Sequence, residues 1–267
     1  MKPSGIPALS KAKLKRYHKL HQKKYRDSEG LFLAEGLRTV RELCMSMPSP
    51  QMLEALLVRD GIGLDPGFAR KWEDRTFTMT DAECVQLAGT STSQGIIGVF
   101  RKQEESPSAS AGAGKAGSFI VALDDVQDPG NAGTIMRTAA WFGCESVIFS
   151  TGSADPYNAK TVRSSAGSIY ALGHYEAGSL HGEIERLSGE GYTIAAASLD
   201  GRDFRDYPSW PAKLVLVIGN EANGVSRQVQ ELAHRLVRIP HAGAKPRVES
   251  LNASVSAGIL MERMILG

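Results

Sequence analysis

Three polar turns hold the side chains of this sequence that could do chemistry, and each turn follows an apolar run. The first turn carries Asn131 and Arg137, the second carries Glu221, and the third carries Ser250 and Asn252. These turns contain neither a lysine-bearing phosphate loop nor side chains at the spacing of metal ligands. Such a set is typical of a pocket that holds its ligand with backbone groups and a few polar side chains.

Each turn, taken alone, also has a purely structural interpretation. Asn131 falls at the start of a predicted helix, where backbone N–H groups bind anions, but it could equally cap that helix. Arg137 follows one or two turns later, where its guanidinium group could reach the same helix end or simply face solvent. Glu221 is either a general base or a partner of a helix dipole, and Ser250 could be only the cap of the last helix. A dinucleotide site is disfavoured because G-x-G-x-x-G is absent.

The elements that must position these turns alternate between strands and helices from residue 118 onward. Strands are predicted in FIVALDD, SVIFS, YTIAAAS and at residues 214–218 and 237–239, with helical stretches between them. Repeated strand–helix units build a parallel sheet. The predicted fold class is therefore α/β, and the three turns should meet at the carboxyl ends of its strands.

Two further segments precede this sheet. Residues 27–100 alternate strand-like and helical runs and are predicted to form a small α/β domain of their own. Residues 101–117, rich in Ser, Ala, Gly and Pro, are predicted to be a flexible linker to the domain at 118–267.

The first 26 residues form a basic N-terminal segment. Within it, KAKLKRYHKLHQKKYR carries eight Lys or Arg and no acid, with Tyr17, His18, His21 and Tyr25 interleaved. Such a run could neutralise RNA phosphates while its rings stack on bases, or it could be a solvated basic helix or tail. The aromatic residues favour RNA as a partner.

The overall composition restricts the class of protein less than the motifs do. The formal net charge is only +2, and no apolar run approaches the length of a membrane span. The three cysteines are odd in number and widely spaced, which fits neither a disulfide framework nor a zinc site. A reducing cytoplasm is the predicted location.

The order of the three turns resembles a known family. N-x-G-x-x-x-R-T-A, V-I-G-N-E-x-x-G-V and I-P…S-L-N-x-S-V are similar to the three motifs of the SpoU/TrmH-type RNA 2′-O-ribose methyltransferases of the SPOUT superfamily. Upstream, LFLAEGLRTVREL and TSQGIIGVF resemble the L30e-like substrate-binding domain of the family's ribosomal-RNA-modifying members.

This resemblance implies a C-terminal trefoil knot, S-adenosylmethionine as methyl donor without a metal, and a homodimer with the site near its interface. By the same resemblance, Gly219, Ile239 and Leu251 line the donor pocket. The family's polar active-site positions fall on five residues of this chain, namely Asn131, Arg137, Glu221, Ser250 and Asn252. The family usually assigns the arginine a deprotonating role. Guanidinium gives up a proton very reluctantly, so electrostatic help is the preferred interpretation here.

The sequence departs from the family pattern between Pro240 and Ser250, where about three extra residues extend the loop. Lys245 and Arg247 in this loop could contact RNA phosphates, or the loop could reshape the donor pocket. That departure bears on the position of Ser250.

The predicted function is methylation of a ribose 2′-hydroxyl, with 23S ribosomal RNA as the substrate favoured over transfer RNA. A non-catalytic RNA-binding or ribosome-assembly protein on the same fold and a base methyltransferase of the same superfamily are the competing interpretations. A NAD-dependent enzyme is the remaining alternative.

Overall fold

The apolar runs fold into two sheets with different strand directions. The computed structural model describes residues 5–89, 93–103, 118–242 and 248–267. The chain divides into an N-terminal unit, assigned Met1–Glu104 and Tyr157–Tyr170, and a C-terminal unit, assigned Glu105–Pro156 and Ala171–Gly267. The predicted linker at 101–117 lies almost wholly outside the described residues.

The first sheet is mixed, with strand order β1-β4-β2-β3. Its β4 is antiparallel to both β1 and β2, and β2 is parallel to β3. The elements of this stretch are α1 (Lys11–His18), α2 (Lys23–Glu29), β1 (Leu31–Glu35), α3 (Leu37–Ser46), β2 (Leu53–Arg59), α4 (Pro66–Lys71), β3 (Thr76–Met79), α5 (Asp81–Leu87) and β4 (Ile96–Arg101).

The second sheet has six strands in the order β10-β8-β9-β5-β6-β7, and all its pairings are parallel. This confirms the predicted α/β class. The elements of this stretch are β5 (Ser118–Asp124), α6 (Pro129–Trp141), β6 (Ser146–Ser150), α7 (Ala159–Ser165), β7 (Gly173–Ala177), α8 (Leu180–Gly189), β8 (Thr193–Asp203), β9 (Lys213–Gly219), α9 (Arg227–Leu232), β10 (Arg235–Arg238) and α10 (Ala253–Leu266). The trefoil knot stays a prediction.

Burial on both faces explains why the central strands are continuous apolar runs. Each residue of SVIFS in β6 is buried, and so are six of the seven residues of β9. A parallel sheet covered by helices on both faces requires this pattern. Strand β7 was missed by the sequence reasoning, because GHYEA is short and polar and forms the edge of the sheet.

The N-terminal unit differs from the predicted division in two places. Helix α1 and the short 3₁₀ turn that follows it (Lys19–His21), which the sequence predicts to be part of a separate basic segment, contribute Tyr17 and Leu20 to the same apolar cluster as Leu31 of β1. The second place is the segment around α7, which was assigned to the sheet domain. Its Tyr157 is fully buried, with its ring centroid 5.0 Å from that of Phe32.

Strand β8 is interrupted where it runs beside β10. Leu236 pairs with Ala196, but the next residue, Val237, pairs with Arg202, so residues 197–201 leave the ladder. Gly201 makes this possible, since a Cβ there would lie 2.6 Å from the backbone of Leu236 and Val237. The displaced residues border the cleft described below.

Candidate active site

The three polar turns meet at the carboxyl edge of the parallel sheet, as predicted. One turn leaves β5 and enters α6, one leaves β9, and the third precedes α10. In parallel sheets this edge is where ligands bind, because the loops leave the strands there.

A chain of hydrogen bonds joins one residue from each turn. The Asn131 Nδ2 donates to Glu221 Oε1 at 2.9 Å. The Asn252 Nδ2 donates to Asn131 Oδ1 at 3.0 Å. Three side chains that span 121 residues of sequence therefore form one relay, which we call the amide relay. These hydrogen bonds fix the orientation of the oxygen and nitrogen atoms in both side-chain amides.

Helix capping explains why the relay residues are held in place. The cap of α6 is Asp128, whose carboxylate accepts from the Asn131 N–H at 2.9 Å. The interpretation of Asn131 as only a helix cap is therefore wrong, and its backbone N–H is not available to an anion. The cap of α10 is Asn252, whose Oδ1 accepts from the N–H groups of Ser254 and Val255. Ser250 is not the cap of the last helix.

The turn that leaves β9 is closed by Asn220, a residue that the sequence reasoning did not select. Its backbone exchanges two hydrogen bonds with Gly224, and its Oδ1 accepts from the N–H groups of Ala222 and Asn223. Gly219 permits the turn, because a Cβ there would lie 2.1 Å from the carbonyl carbon of Gly224. The turn is therefore set by the backbone.

Two aspartates at the end of β5 tie this turn to its neighbours. The Asn220 Nδ2 donates to the Asp125 carbonyl at 2.8 Å and to its carboxylate at 3.2 Å. Asp125 has a positive φ of 60°, which is uncommon outside glycine and is supported here by these bonds. The buried carboxylate of Asp124 accepts from the Ser226 N–H at 2.7 Å. The carboxylate that ends this buried apolar strand was the available signal for Asp124.

A cleft of about 530 Å³ opens beside the turn that leaves β9. The predicted donor residues Gly219, Ile239 and Leu251 line it, together with Glu221 and Ser250. Further apolar and acidic side chains complete its wall, namely Ile218, Val237, Leu260, Asp200 and Glu249. Its volume falls within the range of small-molecule sites. The extra loop residues, including Lys245 and Arg247, fall in 243–247 and lie outside the described residues.

Arg137 is the one predicted site residue that belongs neither to the amide relay nor to the lining of the cleft. It is exposed on α6, six positions after Asn131, which turns it about 120° around the helix axis. It makes no hydrogen bond or ion pair within the part of the chain that the structure describes. The expectation that its guanidinium group reaches the helix start stays a prediction.

The parallel sheet and the polar cleft at its carboxyl edge define an α/β protein with a small-molecule site. Residues 118–262 match the SpoU rRNA methylase family, and residues 11–98 match the MRM3-like substrate binding domain. The chain belongs to the SpoU rRNA methylase family, and the resemblance seen in its motifs is confirmed.

Relatives along nearly the whole chain agree with this assignment. The 23S rRNA (guanosine(2553)-2′-O)-methyltransferase RlmP of Bacillus subtilis is 30% identical over 257 residues, which cover 96% of this chain and 97% of that protein. A solved AdoMet-bound rRNA methyltransferase from Sinorhizobium meliloti is 30% identical, with a TM-score of 0.79 over 96% of this chain and 95% of that one. The AdoMet complex of AviRb from Streptomyces viridochromogenes, 23% identical over 96% of this chain and 98% of that one, shares the fold with a TM-score of 0.81.

No helix in the described residues is both long and apolar enough to cross a membrane.

All three cysteines are free and buried. Burial raises the pKa of the Cys44 and Cys144 thiols to about 12. Both therefore stay protonated at neutral pH and are packing residues rather than nucleophiles.

Proposed function

We propose that this protein is an S-adenosylmethionine-dependent methyltransferase that acts on a ribose 2′-hydroxyl of 23S ribosomal RNA in the cytoplasm. The observation that carries the proposal is the amide relay at the rim of a cleft in a SpoU-family fold. The RlmP relative, similar from end to end, supports large-subunit RNA as the substrate class.

The cleft fits S-adenosylmethionine by its size and by its chemistry. Ile218, Val237 and Ile239 supply apolar wall for an adenine ring. Asp200, Glu221 and Glu249 supply carboxylates, which complement a ligand that carries a sulfonium and an ammonium group. Gly219 and Leu251 would hold the donor through their backbone groups.

The residues at the cleft then have to orient the acceptor hydroxyl. When bound, S-adenosylmethionine supplies an electrophilic methyl group. Asn131 and Asn252, fixed by the amide relay, would hold the ribose edge, with Ser250 beside them at the cleft rim. Alignment of a nucleophile in this way lowers the activation free energy by several kcal/mol, on the order of 7 kcal/mol for well-oriented reactants.

Arg137 would stabilise the negative charge that develops on the 2′-oxygen and grip the adjoining phosphate. A guanidinium group does both well because it is always charged and donates in a planar fork. The 2′-proton would leave to water or to that phosphate. In a single chain Arg137 is turned away from the amide relay, so this role requires a second copy of the protein.

An exposed apolar surface supports a homodimer. Trp141 at the end of α6 is 84% exposed, and Val255 and Ile259 of α10 are also exposed. The two helices pack against each other near Thr138 and Gly258, so their exposed faces are continuous. Arg137 lies on that face of α6. Exposed apolar patches of this kind mark association sites, and a dimer through this face would bring Arg137 to the partner's cleft.

The N-terminal unit would bind the RNA substrate. Lys19 and Lys24 have their ammonium groups 5.2 and 4.8 Å from the centroid of the Tyr25 ring, which is partly exposed. A ring flanked by cations suits a stacked base with its phosphate. Tyr17 has no such role, because it is fully buried.

Transfer of radiolabelled methyl groups from S-adenosylmethionine tests the proposal. Ribosomal RNA and transfer RNA from cells lacking the protein serve as parallel substrates, and the labelled RNA is digested by alkali. A 2′-O-methyl group protects the next phosphodiester bond, so we expect label in alkali-resistant dinucleotides from 23S RNA. Label in mononucleotides, which form wherever the 2′-hydroxyl is unmethylated, would identify a base methyltransferase. RNA binding without any label would identify a non-catalytic RNA-binding protein.

A further inference from the structure

A cluster of arginine and aromatic side chains lies at the β10 edge of the parallel sheet, outside the amide relay and the cleft. The rings of Tyr207 and Trp210 have centroids 5.1 Å apart. The guanidinium carbon of Arg235 lies 4.8 and 4.9 Å from those two centroids, and that of Arg202 lies 5.2 Å from the Tyr207 centroid. Arg238, the last residue of β10, lies on the same edge strand as Arg235, and we include it with these residues in what we call the arginine–aromatic patch.

The carboxylates around the patch leave it positively charged. Asp203 is engaged by Arg205, whose Nε and Nη2 atoms donate to both of its oxygens. Arg202 donates from Nη2 to the Asp206 carbonyl at 3.0 Å and has a long contact of 3.8 Å to the Asp206 carboxylate, and both side chains are more than half exposed. Arg238 is exposed and forms no ion pair among the described residues. Arg235 keeps a charge that no ion pair neutralises among the described residues, whereas the pKa of Asp203 is lowered first by Arg205 and then also by the charge of Arg238.

The patch is continuous with the cleft along the chain. Arg238 directly precedes Ile239, and Arg202 follows Asp200 by two residues. Both Ile239 and Asp200 line the cleft. The interruption of β8 brings these segments together, because Arg202 pairs with Val237 and Asp203 with Arg238 after the displaced residues. An extended polymer with one nucleotide at the cleft would therefore pass over the patch.

We propose that the arginine–aromatic patch binds the sugar–phosphate backbone of the RNA strand next to the methylated nucleotide. This inference rests on the proposed function, since it takes the cleft as the place of methyl transfer. Guanidinium groups bind phosphate oxygens in a bidentate geometry. Stacking on Tyr207 and Trp210 already restricts the side-chain rotation of Arg202 and Arg235 before RNA binds. Such contacts position a strand without reading its sequence.

An acidic protein surface would be the alternative partner, but the neighbouring features favour RNA. Partly exposed aromatic rings interleaved with arginines are typical of single-strand binding surfaces, where bases stack and phosphates pair. The cleft beside the patch lies in the domain that matches the SpoU rRNA methylase family. The strand that enters the cleft needs a cationic path at its rim.

The test compares a double variant, R202Q with R238Q, with the single control R186Q. Arg186 is an arginine of α8 in the same unit, with a 40% exposed side chain that pairs with Glu183 and Glu190. It precedes the amino end of β8, at the opposite edge of the sheet from the cleft. RNA affinity is measured between 50 and 500 mM KCl on a 23S RNA fragment.

We expect the double variant to bind that RNA roughly tenfold more weakly at 0.1 M salt, and its salt slope to fall by about 1.4 for two lost phosphate contacts. Its KM for RNA should rise with kcat and S-adenosylmethionine affinity unchanged. The variant with lysine at both positions should regain most of the salt slope, and R186Q should behave as wild type.

Equal RNA affinity and salt slope in the double variant and in R186Q would overturn the proposal. A lowered thermal unfolding midpoint identifies a variant with a folding defect. If the double glutamine variant has such a defect, the salt slope of the double lysine variant tests the proposal instead. A wild-type protein that binds the RNA but transfers no methyl group would refute the proposed function, and the salt slopes would still decide the patch. A wild-type protein that does not bind RNA refutes both.

Discussion

The polar turns around the cleft and the basic helices α1 and α2 are two regions that the sequence marked for RNA chemistry, and they differ in what the marked residues do. In the turns, Asn131, Glu221 and Asn252 come together through side-chain hydrogen bonds. In the helices and the 3₁₀ turn between them, Tyr17 and Leu20 are core residues, and Arg26 is buried with its guanidinium group bonded to the carbonyls of Leu20 and His21.

The difference teaches how far each kind of signal extends. A motif with fixed spacing specifies which side chains leave the same turn, so Asn131, Glu221 and Asn252 come together when the chain folds. A run defined by composition contains both the surface and the core of an amphipathic helix, since apolar positions recur every three or four residues. Four predictions test this contrast, in order of decreasing expected effect.

Replacing Tyr17 by alanine should destabilise the protein by about 3–5 kcal/mol, the usual cost of deleting a fully buried aromatic side chain. Its hydroxyl has no hydrogen-bond partner among the described residues, and burial raises its pKa to about 12. Tyr17→Phe is therefore the matched control and should leave stability unchanged or slightly higher. Chemical denaturation measures both. If the alanine variant had wild-type stability but bound RNA more weakly, Tyr17 would instead belong to the RNA-binding surface.

Arg137→Ala should lower methyl transfer about a hundredfold or more, on the order of removing one oxyanion donor. Binding of S-adenosylmethionine should remain, because Arg137 does not line the cleft. Single-turnover rates measure the first effect and calorimetry the second. Mixing Arg137→Ala with a cleft-defective Gly219→Ala variant should restore part of the activity through mixed dimers. A rate that barely changes in Arg137→Ala would make Arg137 an ordinary surface residue.

Asn252 both caps α10 and donates a hydrogen bond to Asn131, and different substitutions can separate these two roles. Serine can still cap α10 but lacks the Nδ2 that donates to Asn131, whereas alanine loses both functions. We expect both variants to lose roughly tenfold in rate, about 1.4 kcal/mol for one positioning hydrogen bond. Only Asn252→Ala should also lose about 1 kcal/mol of stability. Full activity in Asn252→Ser would show that the amide relay does not position the substrate.

Removing the charges beside Tyr25 should have the smallest effect. In the double variant Lys19→Gln with Lys24→Gln, RNA affinity should fall only a few-fold, and the salt slope should decrease by about 1.4. Donor affinity and stability should not change, because both lysines are exposed. Filter binding across a salt series makes the measurement, and an unaltered slope would make α1 and α2 a passive surface.

Much of the parallel sheet was predictable because its strands are uninterrupted apolar runs bounded by polar turns. The meeting of the three turns was predictable too, since parallel strands place their carboxyl ends at one edge. Asn220 and Asp125 were not found, because their roles depend on backbone hydrogen bonds and a positive φ that residue type does not reveal. The position of Arg137 on α6, about 120° around the helix axis from Asn131, follows from its spacing once the helix is known.

The division of the chain was harder to predict for a different reason. The segment that contains Tyr157 lies between two strands of the parallel sheet in sequence, yet its ring packs against Phe32. Long-range packing of this kind leaves no periodic trace in the local sequence. The core position of Tyr17 was hidden by the lysines around it.

Mapping of 2′-O-methyl groups in total RNA tests the central claim most directly, in cells that carry the wild-type gene, no gene, or the Arg137→Ala gene. The account predicts that one methyl group in 23S RNA is present with the wild-type protein and lost in both other strains. Identical methylation maps in all three strains would contradict it.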